Sequence, residues 1–298
     1  MKKGNYMLVN DQKRWNEIIT DILREFIVIC KGNNLRYYIS GGTALGAVRH
    51  NGIIPWDDDI DVNMPRPDYE RFLEICRKRD MGNYEIITVY NNPDYPLYFS
   101  KMCNKNTTLI EDCDTFCVMG LYIDIFPLDA TADDLDEAYN MMCHFQKIKN
   151  RLEAISTHIS FWRYLKLLSK PHDWGRFVYK TIGFFARSSY RQSLLKKLDS
   201  IAKSHNYEDA KNVMLYPGAY GRRDIYDKEW FANDVQLPFE GMMVSVPKCY
   251  DKYLTHLFGD YMQFPPEEER KSRHTKVYYN YDERLSLNEI RARLTDRH

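Results

Sequence analysis

Trp56-Asp57-Asp58-Asp59-Ile60-Asp61-Val62-Asn63-Met64 sets aspartates at alternate positions ahead of an apolar end. Read as a strand, its period of two puts Asp57, Asp59 and Asp61 on one face and Ile60, Val62 and Met64 on the other. One face is then buried and the other crowded with like charges. Such carboxylates repel unless a proton or cation sits among them, and hard oxygen ligands suit Mg²⁺ or Mn²⁺. A run of aspartates is more often a solvated turn, and the alternation with Ile60 and Val62 argues against that here. A calcium loop also begins Asp-x-Asp-x-Asp, but its sixth position needs glycine and holds Val62, and its twelfth needs Glu and holds Asp68.

Upstream, Tyr37-Tyr38-Ile39 is β-prone and stops at Ser40-Gly41-Gly42-Thr43. Thr43 reads as the N-cap of a short helix, Ala44 to His50, closed by Asn51-Gly52. Strand, glycine turn and helix N-terminus together aim backbone N–H groups at an anion, most naturally a phosphate. Arg49, one to two turns in, is a candidate clamp on the same phosphate. Downstream, Asp124 lies in the hydrophobic run Leu121 to Phe126, where a lone charge is costly. A metal shared with Asp59 and Asp61 satisfies it, in the arrangement that phosphoryl-transfer sites use. Lys101, on a candidate strand from Leu97 to Cys103, is either a further phosphate contact or a surface lysine.

The whole chain is that of an ordinary folded protein: 298 residues, 42 Lys+Arg against 42 Asp+Glu, and 44% hydrophobic residues exclude disorder, collagen and coiled coil. Cys30, Cys76, Cys103, Cys113, Cys117, Cys143 and Cys249 are an odd set without paired C-x-x-C spacing, expected to be reduced and mostly buried. The N-terminus lacks the apolar core of a secretory signal, and Phe26 to Cys30 is far shorter than a membrane span, so a cytoplasmic location is expected. The charges are sorted along the chain. Residues 106–146 contain no Lys or Arg, whereas between 160 and 198 nine bases interleave with aromatics against the single acid Asp173. That basic, aromatic stretch is either a helical subdomain or a peripheral contact with the inner face of an anionic membrane. The neutral total and the lack of a recognition motif argue against nucleic acid.

Apolar spacing predicts helices over 12–31 and Asp68 to Lys78, strands at Tyr84 to Tyr90, Leu97 to Cys103 and Leu121 to Phe126, and helices between Asp133 and Ser204. His50 is expected to serve the helix dipole. His274, in a basic tail with Arg270, Lys271, Arg273 and Lys276, either covers a bound ligand or lies in a solvated tail, the second being preferred. The loop Tyr216 to Arg223, with Gly218, Gly221, Arg222 and Arg223, is a further candidate to reach a phosphate or an acceptor.

Ser40-Gly41-Gly42-Thr43-Ala44-Leu45-Gly46-Ala47-Val48-Arg49-His50, followed by Gly52-Ile53-Ile54-Pro55-Trp56-Asp57-Asp58-Asp59-Ile60-Asp61-Val62, closely resembles the signature of LicD family phosphotransferases, relatives of the fukutin-type proteins. Ile123-Asp124-Ile125-Phe126-Pro127-Leu128-Asp129 resembles their next block, and segments from Phe239 to Pro266 resemble their tail. The resemblance implies an α+β fold, a nucleotidyltransferase-type mixed sheet with flanking helices, a helical insertion and a C-terminal extension. On that basis residues 1–130 are a catalytic core, 131–210 a helical, basic and aromatic subdomain, and 211–298 a part completing the site.

It also implies transfer of a phospho-alcohol, phosphocholine first, from a CDP-linked donor to a sugar hydroxyl of a cell-surface or lipid-linked glycan, with CMP released. CDP-ribitol and CDP-glycerol are the alternative donors. Ser40, Gly41, Gly42 and Thr43 match the nucleotide-phosphate turn, Asp59 and Asp61 the metal-binding pair and Asp124 the third carboxylate. Asp57 is an additional candidate ligand for Mg²⁺ or Mn²⁺. A non-catalytic, metal-stabilised, membrane-docking module is the competing class.

Overall fold

A computed structural model describes residues 11–111, 117–156, 174–272, 274 and 276–295. The first helix, α1 (Gln12–Gly32), is capped by Asp11, whose carboxylate accepts from the Arg14 N–H, and it buries the stripe Trp15, Ile19, Ile22, Leu23, Phe26 and Ile27. It leads through β1 (Tyr38–Ile39) into α2 (Gly41–His50) and then β2 (Asp61–Pro65). Ser40, not Thr43, occupies the N-cap position of α2. Thr43 instead turns its hydroxyl to accept the Asp61 N–H at 2.8 Å, tying the helix to the strand.

Helix α3 (Arg66–Lys78) carries a proline in its first turn, where the missing N–H costs nothing. Strands β3 (Tyr84–Ile87), β4 (Ser100–Asn104), β5 (Thr108–Ile110) and β6 (Tyr122–Thr131) follow. β3 stops three residues short of the expected Tyr90 because Asn91 Oδ1 takes the Thr88 N–H at 2.8 Å and turns the chain. β4 starts three residues later than the expected Leu97, and β6 runs well past Phe126.

The main sheet has the order β1-β2-β6-β4-β3, with β7 (Asn212–Met214) and β8 (Ile225–Asp227) added along the C-terminal half of β6. Almost every residue of β6 is buried, as a central strand covered on both faces requires. Pro127 sits inside it without breaking the ladder. On the antiparallel side, pairing with β4 ends at Ile125 and pairing with β7 begins only at Asp129. The strand changes partner where proline has no N–H to offer.

Beyond the sheet, α4 (Leu135–Ser156) and α5 (Trp174–Ala202) pack on each other. Of the basic, aromatic stretch, residues 160–173 lie outside the described residues and the remainder falls within α5. The C-terminal third forms the hairpin β9 (Asp234–Phe239) and β10 (Met242–Pro247), helix α6 (Tyr250–Phe258) against α2, β11 (Tyr278–Asn280) paired with β5, and α7 (Leu287–Thr295). Cys113 also lies outside the described residues; the other six cysteines are unpaired, four of them buried. Among the described residues no helix is long and apolar enough to cross a membrane.

Candidate active site

The centre of the sheet is where charge collects. Parallel pairing of β2 with β6 sets Asp61 opposite Asp124, and antiparallel β4 sets Lys101 opposite Asp124 from the other side. Cross-strand partners share a face, so Asp61, Asp124 and Lys101 form a row across three strands. Lys101 is 2% exposed and donates from Nζ to Asp124 Oδ1 at 2.7 Å, with Glu111 Oε2 at 3.8 Å. It is a buried counter-ion rather than a surface lysine.

Asp57 and Asp59 reach the row by another route. The strand begins only at Asp61; residues 57–60 follow a turn at 55–56 without regular structure, with the Asp57 N–H donating to Ile54 O at 2.8 Å and the Asp58 carbonyl accepting from Trp15 Nε1 at 2.8 Å.

The glycine turn lies against these carboxylates. Gly41 is in the left-handed region at φ +52, and a Cβ built there would lie 3.6 Å from Asp61 Oδ2; one on Gly42 would lie 2.7 Å from Asp57 Oδ2. The Gly41 N–H donates to the Tyr253 hydroxyl of α6 at 3.0 Å. The N–H groups of Gly42 and Thr43 belong to the first helical turn, which has no intrahelical acceptors for them. Gly42→Ala should therefore displace Asp57 and weaken Mn²⁺ binding by ~10–100-fold, the range of a disturbed metal environment. Titration calorimetry reads this, and an unchanged affinity would remove Asp57 from the ligand set.

Burial raises the pKa of Asp59 well above the usual carboxylate range, helped by the charges of Asp61 and Asp57. Asp61 is pushed up to about 8, by burial first and Asp124 second. Burial also raises Asp124, against the pull of Lys101. Lys101 is paired with Asp124, Lys276 acts on Asp57 and His274 lies beside Asp59, yet the carboxyls of Asp59, Asp61 and Asp124 are still raised; two like charges ~4 Å apart repel by about 4 kcal/mol at an effective dielectric of 20. The donor set, all carboxylate oxygen, fits a hard divalent cation.

Asp58 has a different task that the sequence did not suggest. It is 5% exposed; its Oδ2 accepts from the Ser272 hydroxyl at 2.6 Å and from the buried Lys276 ammonium, and its Oδ1 meets His274 Nδ1 at 2.9 Å. The tail expected to be solvated is thus pinned onto the site, and His274 Nε2 comes 3.4 Å from Asp59 Oδ2. Among the described residues, the metal-ligand atoms found within 4.8 Å of one another belong to Asp58, Asp59 and His274, rather than to Asp59, Asp61 and Asp124. Both Asp58 oxygens are engaged by Ser272, His274 and Lys276, so Asp58 anchors the tail beside Asp59.

Residues 34–156 match the family described as LicD/FKTN/FKRP, nucleotidyltransferase domain. These residues form a LicD/fukutin-type domain within the chain. Lipopolysaccharide cholinephosphotransferase LicD of Haemophilus influenzae is 28% identical over 265 residues, 88% of this chain and 95% of that protein. Ribitol 5-phosphate transferase FKRP of Homo sapiens is 33% identical over 79 residues, 25% of this chain and 14% of its own length.

Within this chain the remaining candidates fall elsewhere. Arg49 is eight residues from Gly41 along α2, roughly 12 Å of helix, and donates to Tyr261 O at 2.8 Å. Its guanidinium is engaged by backbone carbonyls near the far end of α2. His50 packs edge-on against Trp56 and Phe264, and among the described residues neither ring nitrogen has a hydrogen-bond partner, so it does not bond to the helix carbonyls. In the Tyr216–Arg223 loop, Arg222 pairs with Asp136 at 2.6 Å and Arg223 donates to Leu257 O at 2.6 Å, so both guanidiniums are held away from the aspartates.

Proposed function

We propose that this protein is a metal-dependent phosphotransferase of the nucleotidyltransferase-type fold that moves a phospho-alcohol group, phosphocholine first, from a CDP-linked donor to a sugar hydroxyl of a cell-surface or lipid-linked glycan. The observation that carries it is the row Asp61–Asp124–Lys101 beside the first turn of α2. A diphosphate arriving next to four carboxylates requires cationic compensation, which Mg²⁺ or Mn²⁺ on Asp57, Asp59, Asp61 and Asp124 would supply by neutralising phosphoryl charge.

The chain's own groups do the rest. Ser40 to Thr43 bring helix N–H groups to the donor's phosphates. Lys101 fixes the orientation of Asp124. A carboxylate of the row accepts the proton of the acceptor hydroxyl as its oxygen bonds to the phosphorus bearing the choline group, and the bond to the bridging oxygen breaks, releasing CMP. In this scheme residues 1–130 supply the chemistry, 131–210 form the helical subdomain beside it and 211–298 complete the site through Tyr253 and His274.

Phosphocholine is favoured over ribitol phosphate because the cholinephosphotransferase relative aligns over nearly its whole length and the ribitol 5-phosphate transferase only over a short block. The test is release of CMP from CDP-choline, CDP-ribitol and CDP-glycerol, with a glycan acceptor supplied, with and without Mn²⁺. Metal-dependent release from CDP-choline above the other two is expected. No release from any donor would leave the non-catalytic module as the better description.

A further inference from the structure

The far end of α2 carries a second cluster that the scheme above does not use. Arg49 and Arg270 converge on one aromatic surface: the Arg49 guanidinium lies 4.5 Å from the Phe264 ring centroid, and that of Arg270 lies 5.4 Å from Phe264 and 5.6 Å from Trp56. Phe264 is 47% exposed, so the surface opens to solvent. Among the described residues Arg49 meets backbone carbonyls rather than a carboxylate. Its Nη1 donates to Tyr261 O at 2.8 Å and to Gln263 O at 3.4 Å, and its Nε is buried with no hydrogen-bond partner.

Arg270 donates from Nε to Pro265 O at 2.9 Å, and the carboxylate it meets among the described residues is the solvent-exposed Glu267 at 4.0 Å. The negative end of the α2 dipole explains one cation here. It does not explain two, and Arg270 comes from a different segment.

We infer that this surface is the acceptor subsite, and that it takes a sugar bearing its own anionic group, a phosphate or a carboxylate. The inference rests on the transferase reading above and adds the acceptor's class to it. Trp56 directly precedes Asp57, whose carboxylate lies against Gly42 at the start of α2, while the Trp56 ring packs on His50 at the helix end. The tryptophan therefore bridges the carboxylate row and the arginine pair. A sugar ring lying on the aromatic surface presents a hydroxyl toward the row and its anionic substituent toward the guanidiniums, whose planar donors match phosphate or carboxylate oxygens. The Arg49 guanidinium is held at the far end of α2 by the Tyr261 and Gln263 carbonyls and lies over Phe264, whereas the glycine turn opens the helix. In this proposal the anion at Arg49 and Arg270 is a second one, belonging to the acceptor.

Binding is measured directly, without turnover, by titrating the full chain with glucose, glucose 6-phosphate, glucuronate, N-acetylneuraminate and inorganic phosphate. At least one anionic sugar should bind tenfold or more tightly than both glucose and inorganic phosphate. Its affinity should fall at least tenfold in Arg270→Gln and in Arg49→Gln, and should drop in Trp56→Leu. The Arg270 side chain is 33% exposed, so Arg270→Gln stays informative even where Arg49→Gln fails to fold. Equal affinity for glucose and the anionic sugars, no binding of any anionic sugar, an unaffected Arg270→Gln, or displacement of the bound sugar by CDP would each overturn the subsite. Failure of CMP release with these binding results intact would sink the transferase reading alone.

Discussion

Asp61→Asn is expected to lower CMP release by at least ~10³-fold, about the cost of removing one well-placed electrostatic contact to a transition state, while making the metal-free protein more resistant to heat. The two effects share a cause. Asp61 is held among Asp59, Asp57 and Asp124 in a poorly solvated site, and its carboxyl is pushed up to about 8. A carboxyl whose folded-state pKa exceeds its unfolded value contributes stability only while it stays protonated. That contribution is present below the ordinary aspartate value near ~4 and is lost as pH rises through about 8.

The metal-free wild type should therefore melt at progressively lower temperature from pH 5 to pH 8, and Mn²⁺ should restore more stability at pH 8 than at pH 5. In Asp61→Asn both trends should flatten. A thermal-shift series over pH and Mn²⁺, run beside the CMP assay, measures them. A variant that keeps its turnover, or that melts several degrees below the wild type without metal, would show that Asp61 is a structural residue. Such an exchange of stability for function is common where like charges are gathered for catalysis.

Asp58→Ala should destabilise the fold by up to ~3–5 kcal/mol, because it removes the carboxylate paired with the buried Lys276 ammonium and leaves only the charge of Asp57 to act on it. Lys276 is 4% exposed and Asp58 5%, so water does not reach either charge to make up the loss. The same change frees Ser272 and His274, so the tail should also become cleavable by trypsin at the basic residues around 270–276. Adding Lys276→Met to Asp58→Ala removes the buried ammonium and should recover a large part of the stability without restoring protection of the tail. Urea denaturation and timed proteolysis separate the two effects. A loss below ~1 kcal/mol in the single variant would place this pair among weak surface contacts.

Some of this architecture was legible in the residues alone. The spacing of Trp15, Ile19, Ile22 and Phe26 needs only the period of a helix, and α1 follows it closely. The turn at Gly41 and Gly42 is local too, since the positive φ at Gly41 and the close approach of Asp57 to Gly42 call for residues without side chains. Other features gave no local signal. The alternation suggests a strand from Asp57, yet regular pairing begins only at Asp61, and the Asp58 carbonyl accepts from the Trp15 side chain of α1 instead. Asp58 looked interchangeable with its neighbours, although alternation put it on the Ile60 side, where a carboxylate must find a cation.

By itself the sequence determined which groups are available: a glycine turn at a helix start, aspartates before an apolar strand, and a further aspartate in a hydrophobic run. These are properties of neighbours within a few residues, governed by backbone geometry and side-chain periodicity. Only the tertiary structure decided which charges meet. The parallel register sets Asp61 beside Asp124 across 63 positions, β4 brings in Lys101, and Lys276 reaches Asp58 across 218 positions. Those pairings depend on strand register and on the desolvation that forces each buried charge to a partner, and both arise only when the whole chain packs.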